Sequence, residues 1–272
     1  MEETITSQTR MDSKISYKGL RIFNGVMSGL HLVQAIVMLV TGLVIDNIKN
    51  FKLPVTTDYL YFDDVLERLV KAMPETITSF PVGVLVSSFL FLSALAHLLT
   101  VLPGLNNFYN NGLENNINYF RWFEYAISSS VMIVLIAMFF GVYDLASLIL
   151  IVGANATMNL MGLMMEKHNQ TTEKTDWMAF IIGTFIGLIP WVIIAMYLFG
   201  NPGVNNAPWF VWAILGAYFF FFWTFPINMI LQYAKVGKWK DYLFGERGYI
   251  ILSLVSKSLL AWLVFAGTLQ PA

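Results

Sequence analysis

The sequence predicts an all-α membrane protein, a bundle of seven transmembrane helices with its amino terminus in the cytoplasm. Three observations predict it. Of the 272 residues, 57% are hydrophobic and only 12% charged, about half the charged share of a soluble domain. Seven apolar stretches are each long enough to cross roughly 30 Å of hydrocarbon as a helix. Lys and Arg gather on one side of those stretches, which orients the chain. There are no cysteines, so disulfides and thiolate metal sites are excluded. A net charge of -1 argues against a nucleic-acid partner.

The spans run approximately over 19–45, 79–102, 117–140, 143–166, 177–199, 209–233 and 247–269. None has the alternating period of a membrane strand, which argues against a barrel. The first span follows a polar leader with Arg10, Lys14, Lys18 and Arg21. It is too long for a signal-peptide core and lacks a small-residue cleavage site, so it reads as a helix that stays. The chain therefore divides into a tail (1–18), one seven-helix bundle (19–269) and a short carboxyl tail (270–272). Loop 46–78 mixes acids, bases and β-branched residues, enough for a small hairpin. No internal repeat is visible, which weakens an inverted-repeat transporter reading.

Orientation follows from the cations. One side collects Arg10, Lys14, Lys18, Arg21, Arg121, Lys167, Lys174, Lys235, Lys238, Lys240 and Arg247. The other has only Lys49, Lys52, Arg68 and Lys71, all in the long first loop. Positive charge in short loops marks the cytoplasm. The expected location is the cell membrane, with the amino terminus inside and the carboxyl terminus outside.

A charge in hydrocarbon costs at least about 2.5–3.5 kcal/mol on insertion scales, so each one calls for a reason. Lys257 sits mid-span in SLVSKSLLAW, too far from either end to snorkel. It is either a lysine paired to a carboxylate for packing, or an amine that condenses with an aldehyde to form a Schiff base. A protonated Schiff base needs a counterion, and Glu124 in RWFEY is the candidate. Counted from the expected span starts, Lys257 lies about 15 Å deep and Glu124 about 10 Å deep from the same side. The alternative for Glu124 is a membrane-edge partner of Arg121 one turn earlier.

His31, His97, Gln34, Ser93 and Tyr109 fall on the same half. Each histidine is either a hydrogen-bonded structural residue or part of a proton-accepting network between Lys257 and the cytoplasm. Glu166, Tyr242 and Glu246 stand at the rim. They read as solvated at the interface, although Glu246 could hold Arg121. Aromatics abound, with FFFFW at 219–223 and Trp122, Tyr125, Trp191 and Trp262 inside spans. Most serve packing or lipid contact. A conjugated polyene would nonetheless need such flat walls, and Pro190 and Pro226 would open helix backbones near a slot.

RWFEYAISSS, GVYDLASLILIVGANATMNLMGLMME, GKWKDYLFGER and SLVSKSLLAWLVFAGT together resemble the heliorhodopsins, retinal proteins of inverted topology relative to other microbial rhodopsins. The resemblance covers essentially all seven spans and agrees with the charge count. It implies a rhodopsin-like bundle with all-trans retinal held as a covalent Schiff base on Lys257 and Glu124 as counterion. Ser253 falls where pumping rhodopsins commonly carry a second carboxylate. Ser128 and Leu135 follow Glu124 where a pump would place a hydroxyl or acid and then a donor acid; leucine cannot donate a proton. His31, His97, Gln34, Ser93, Tyr109, Arg121, Tyr242 and Glu246 match the family's cytoplasmic polar network. Tyr125, Asn155, Met158, Pro190, Trp191 and Phe222 match its retinal pocket. The resemblance also implies a homodimer; the spans imply membrane lipid as a partner, and a light sensor would need a cytoplasmic signalling partner.

Three functions compete. A light sensor without net transport, not an enzyme, is favoured because the extracellular halves of the spans offer almost no proton carriers. There Asp144 lies at a turn, while Asn155 and Thr224 carry no protons. A light-driven or light-gated ion transporter is the alternative on the same scaffold. A transporter or membrane enzyme using the Lys257–Glu124 pair without retinal is the third.

Overall fold

In a computed structural model, residues 13–269 are described, so Arg10, most of the amino-terminal tail and residues 270–272 lie outside the described residues. Seven helices are long and apolar enough to span a membrane: α1 (Tyr17–Val44), α3 (Val82–Val101), α5 (Tyr119–Phe139), α6 (Leu145–His168), α7 (Met178–Phe199), α8 (Trp209–Tyr233) and α9 (Tyr242–Thr268). Two short helices, α2 (Asp46–Asn50) and α4 (Leu105–Glu114), sit in the connections. Hydrophobic side chains face outward all round, among them Val33, Phe185 and Met196, as expected where lipid replaces water as the solvent.

Polar caps decide where the spans begin. The Ser16 hydroxyl accepts from the Gly19 amide at 3.0 Å, and the Asn118 side chain accepts from Arg121 N at 3.1 Å. Asp144 accepts from Ser147 N at 2.8 Å. Asp241 accepts from Leu243 N at 3.0 Å, so α9 begins at Tyr242 rather than at 247. Its polar first turns imitate a loop in sequence, but a capped helix end tolerates them. The connection before α5 is likewise not simply a loop, since α4 buries Asn106, Tyr109 and Leu113 on one face.

Loop 46–78 is richer than one hairpin. Strand β1 (Lys52–Thr57) pairs antiparallel with β4 (Glu75–Pro81), and between them β2 (Leu60–Asp63) pairs antiparallel with β3 (Arg68–Lys71). Asp63 accepts from the Val65 and Leu66 amides at 2.9 Å each, an Asx-type turn. Thr56 N donates to Tyr143 O at 2.8 Å, docking this sheet on the turn between α5 and α6. We call this end of the bundle the hairpin face and the opposite end the α4 face.

Helices α1 and α3 touch backbone to backbone. A Cβ placed on Gly42 would lie 2.7 Å from the Cα of Gly83, a small-residue contact of the kind that lets membrane helices approach. Gly42→Val is therefore expected to cost about 1–3 kcal/mol by overpacking, because main chain cannot rotate away. Thermal unfolding in detergent measures it.

The hairpin half is an apolar core in which Ile133, Leu135, Ile136 and Met138 of α5 are all 0% exposed. Leu135, which cannot carry a proton, thus stands among fully buried apolar side chains. Polar burial concentrates in the other half.

Candidate functional site

Four-residue spacing builds the site on α9. Tyr249, Ser253 and Lys257 recur on one face, and all three are buried. Helix α5 presents Arg121, Tyr125 and Ser128 on its buried stripe, and Glu124 stands beside it. The Lys257 ammonium donates to Glu124 Oε1 at 2.6 Å and to Ser93 Oγ at 2.6 Å. Ser93 in turn donates to Glu124 Oε1 at 2.6 Å. Ser253 Oγ lies 3.1 Å from Lys257 Nζ, and the Tyr125 ring centroid 5.2 Å from it. Ser93 therefore touches the lysine–carboxylate pair itself instead of standing further along the network. Ser128 is buried beside the Glu124 carboxylate, though its hydroxyl makes no well-formed hydrogen bond.

On the apolar side of Lys257 runs a cavity of about 950 Å³, counting its open mouth. Aromatic side chains of α5, α8 and α9 wall it: Trp122, Tyr125, Phe222, Phe225 and Tyr249, with Met158 of α6 and Phe180 of α7 opposite. Gly162 and Gly183 keep it open, since a Cβ on Gly162 would collide with the Trp122 ring. Pro226 lines the cavity as anticipated. Three anticipated residues do not. Asn155 donates to Ser129 Oγ at 2.7 Å, while Asn159, one turn on, lines the cavity in its place. The α7 lining ends at Thr184, so Pro190 and Trp191 fall beyond it. Trp191 instead backs the wall, its ring 5.3 Å from that of Phe222 and 5.5 Å from that of Tyr218.

On the polar side of Lys257 a smaller cavity reaches toward the α4 face, lined by Asn24, His97, Tyr109, Arg121, Glu124 and Glu246 among others. His31 and His97 stack with centroids 5.6 Å apart. His97 Nδ1 lies 2.7 Å from Asn24 Oδ1. Asn24 Nδ2 already donates to Leu20 O and Tyr109 Oη, so its oxygen must accept and His97 carries the proton on Nδ1. Tyr109 passes the chain on, donating to Glu246 Oε1 at 3.1 Å. Burial, reinforced by the Glu246 charge, holds the Tyr109 hydroxyl well above its ordinary range, so it stays a donor. Both His31 ring nitrogens are buried without a hydrogen-bond partner among the described residues. Gln34 is not joined to this network. Its amide donates back to Leu30 O at 3.3 Å, because the buried stripe of α1 runs through Asn24, Ser28, His31 and Ala35 and leaves Gln34 at the edge.

The rim acids are not solvated. Glu166 and Glu246 are 2% and 1% exposed and both pair with Arg121. Glu166 also accepts from Trp122 Nε1, from Asn118 N at 3.1 Å and from Tyr242 Oη at 3.1 Å. Arg121 lies 4.1 Å from the Tyr249 ring centroid. One guanidinium thus ties α5, α6 and α9 together, and the Tyr249 and Trp122 rings stand between it and the larger cavity. Sequence reasoning missed Asn24, Asn118 and Tyr249. The four-residue repeat ending at Lys257 pointed to Tyr249, and Asn118 occupied a cap position before RWFE.

Seven spanning helices around a buried lysine–carboxylate pair, with an aromatic cavity on one side of it, define a membrane bundle of the rhodopsin-like class. The chain belongs to the heliorhodopsin family, whose profile matches residues 20–269. Heliorhodopsins are seven-helix retinal photoreceptors and not enzymes. A comparison with curated proteins finds no match. The cavity suits the family's cofactor: its wall is aromatic and apolar as a polyene requires, and the one primary amine among its lining residues is that of Lys257.

Proposed function

We propose that this protein senses light through all-trans retinal bound to Lys257, with Glu124 as counterion and no net ion transport. The observation that carries the reading is the aromatic cavity lined by Lys257, with Glu124 and Ser93 each 2.6 Å from the amine. Retinal bound there as a Schiff base supplies light absorption and isomerisation. Glu124 would balance the positive charge, and Ser93, which donates to that carboxylate at 2.6 Å, would hold it in place. Trp122, Tyr125, Met158, Phe222 and Tyr249 hold the polyene. His31 and His97 stand on the polar side as acceptors for a proton released by light. The proton returns by the way it left, because the buried α5 residues toward the hairpin face are Ile133, Leu135 and Ile136, which carry none.

Illumination of pigment-loaded cells is therefore expected to give neither a sustained pH change nor a steady photocurrent under voltage clamp. A transient charge displacement fits the reading. A stationary current that reverses with voltage would establish transport instead.

The α4 face is read as cytoplasmic from the Lys and Arg asymmetry, with a homodimer as the family resemblance implies and a cytoplasmic signalling partner as the sensor reading requires. Protease applied to intact cells is expected to reach the 46–78 loop and spare the amino terminus. The reverse cleavage pattern would overturn the orientation.

A further inference from the structure

On the α4 face, the seam between α1 and α9 carries cations that the site does not use. Ser13 donates to Asp241 at 2.6 Å, which joins the segment leading into α1 to the connection between α8 and α9. Lys14 and Lys18 follow on the first segment, and Lys235, Lys238 and Lys240 lie on the second. The Arg247 guanidinium stands 5.6 Å from the Phe23 ring of α1, closing the seam. All six cations are exposed, and none forms an ion pair among the described residues. Among the described residues, the acids on these segments are engaged: Asp241 accepts from Ser13 and from the Leu243 amide, and Glu246 pairs with Arg121.

A second feature gives this charge a direction. Lys18 heads a stripe on α1 that continues at helical spacing through Ile22, Val26, Leu30, Val33, Val37 and Val40, every one of them exposed and apolar. A cation above a continuous apolar track matches an amphiphile with an anionic head and a hydrocarbon tail. An acidic protein would satisfy the cations and leave the track unused.

We propose that this seam binds the headgroup of an anionic phospholipid, with Lys18, Lys240 and Arg247 as its cations and the α1 stripe beneath its acyl chain. Clustered Lys and Arg at the ends of membrane helices attract such headgroups, and salt screens the attraction. The inference does not depend on the chromophore.

The test reconstitutes the full chain in phosphatidylcholine with trace spin-labelled phosphatidylserine or phosphatidylcholine and reads the protein-associated fraction by electron spin resonance. Phosphatidylserine is expected to associate about twofold or more in preference at low salt. That preference should fall to unity at high salt and drop clearly in the K18Q/K240Q/R247Q variant, whose helical circular dichroism confirms that it folds. Equal association of both lipids with the wild type, or a preference unchanged in the folded variant, overturns the proposal. Displacement of the labelled lipid by millimolar inorganic phosphate would assign the seam to free anions. Capture of an acidic peptide by a wild type that shows no lipid preference would assign it to a protein partner.

Discussion

Lys257→Ala is expected to form no covalent pigment with all-trans retinal, whereas the wild type colours. Among the lysines within spans, Lys18 stands at the start of α1 and Lys167 at the end of α6, so Lys257 alone offers an amine at mid-depth. The single variant leaves Glu124 buried without its cation, and breaking a buried pair costs about 3–5 kcal/mol, so misfolding could imitate the result. Lys257→Ala combined with Glu124→Gln removes both charges and separates the two effects. A folded double variant is expected to remain colourless. Visible absorbance that survives denaturation in either variant would place the attachment elsewhere.

Glu124→Gln is expected to keep the pigment but lower the pH at which its colour is lost, by about 1–3 pH units, the range for a carboxylate within 4–6 Å of a titrating cation. The sign follows from charge. Glu124 stabilises the protonated amine, so its removal lets the proton leave at lower pH. Ser93 and Ser253 touch the same nitrogen but are neutral and cannot replace that stabilisation. Glu166 and Glu246 are already committed to Arg121. Identical titration midpoints in the two proteins would remove Glu124 from the counterion role.

The depth argument that paired Lys257 with Glu124 reached the right partners by an inexact route. Taking α9 to start at 247 put the lysine about ten residues deep, but Asp241 caps the helix and adds five residues before that point. The two side chains nevertheless meet at 2.6 Å, because α9 begins further toward the α4 face than α5 does. Helix starts written in polar residues are hard to read when the cap, not the hydropathy, sets them.

Composition and hydropathy by themselves determined the seven spans, the lysine in the last of them and the acid opposite it. Each is a local consequence of the cost of charge or unpaired backbone in hydrocarbon, so each shows in a window of a few residues. Which face of each helix turns inward was decided only by packing. Gln34 and His31 are three residues apart on α1, yet one bonds its own helix and the other is sealed against His97. Asn155 and Asn159 share a face, yet only the second reaches the cavity. Glu166 and Glu246 looked like two interfacial acids until Arg121 joined them across three helices. A helix in lipid can bury any side and expose apolar residues on the rest, so periodicity alone does not mark the inner face. Contacts between residues 45 and 125 positions apart exist only once the helices have assembled.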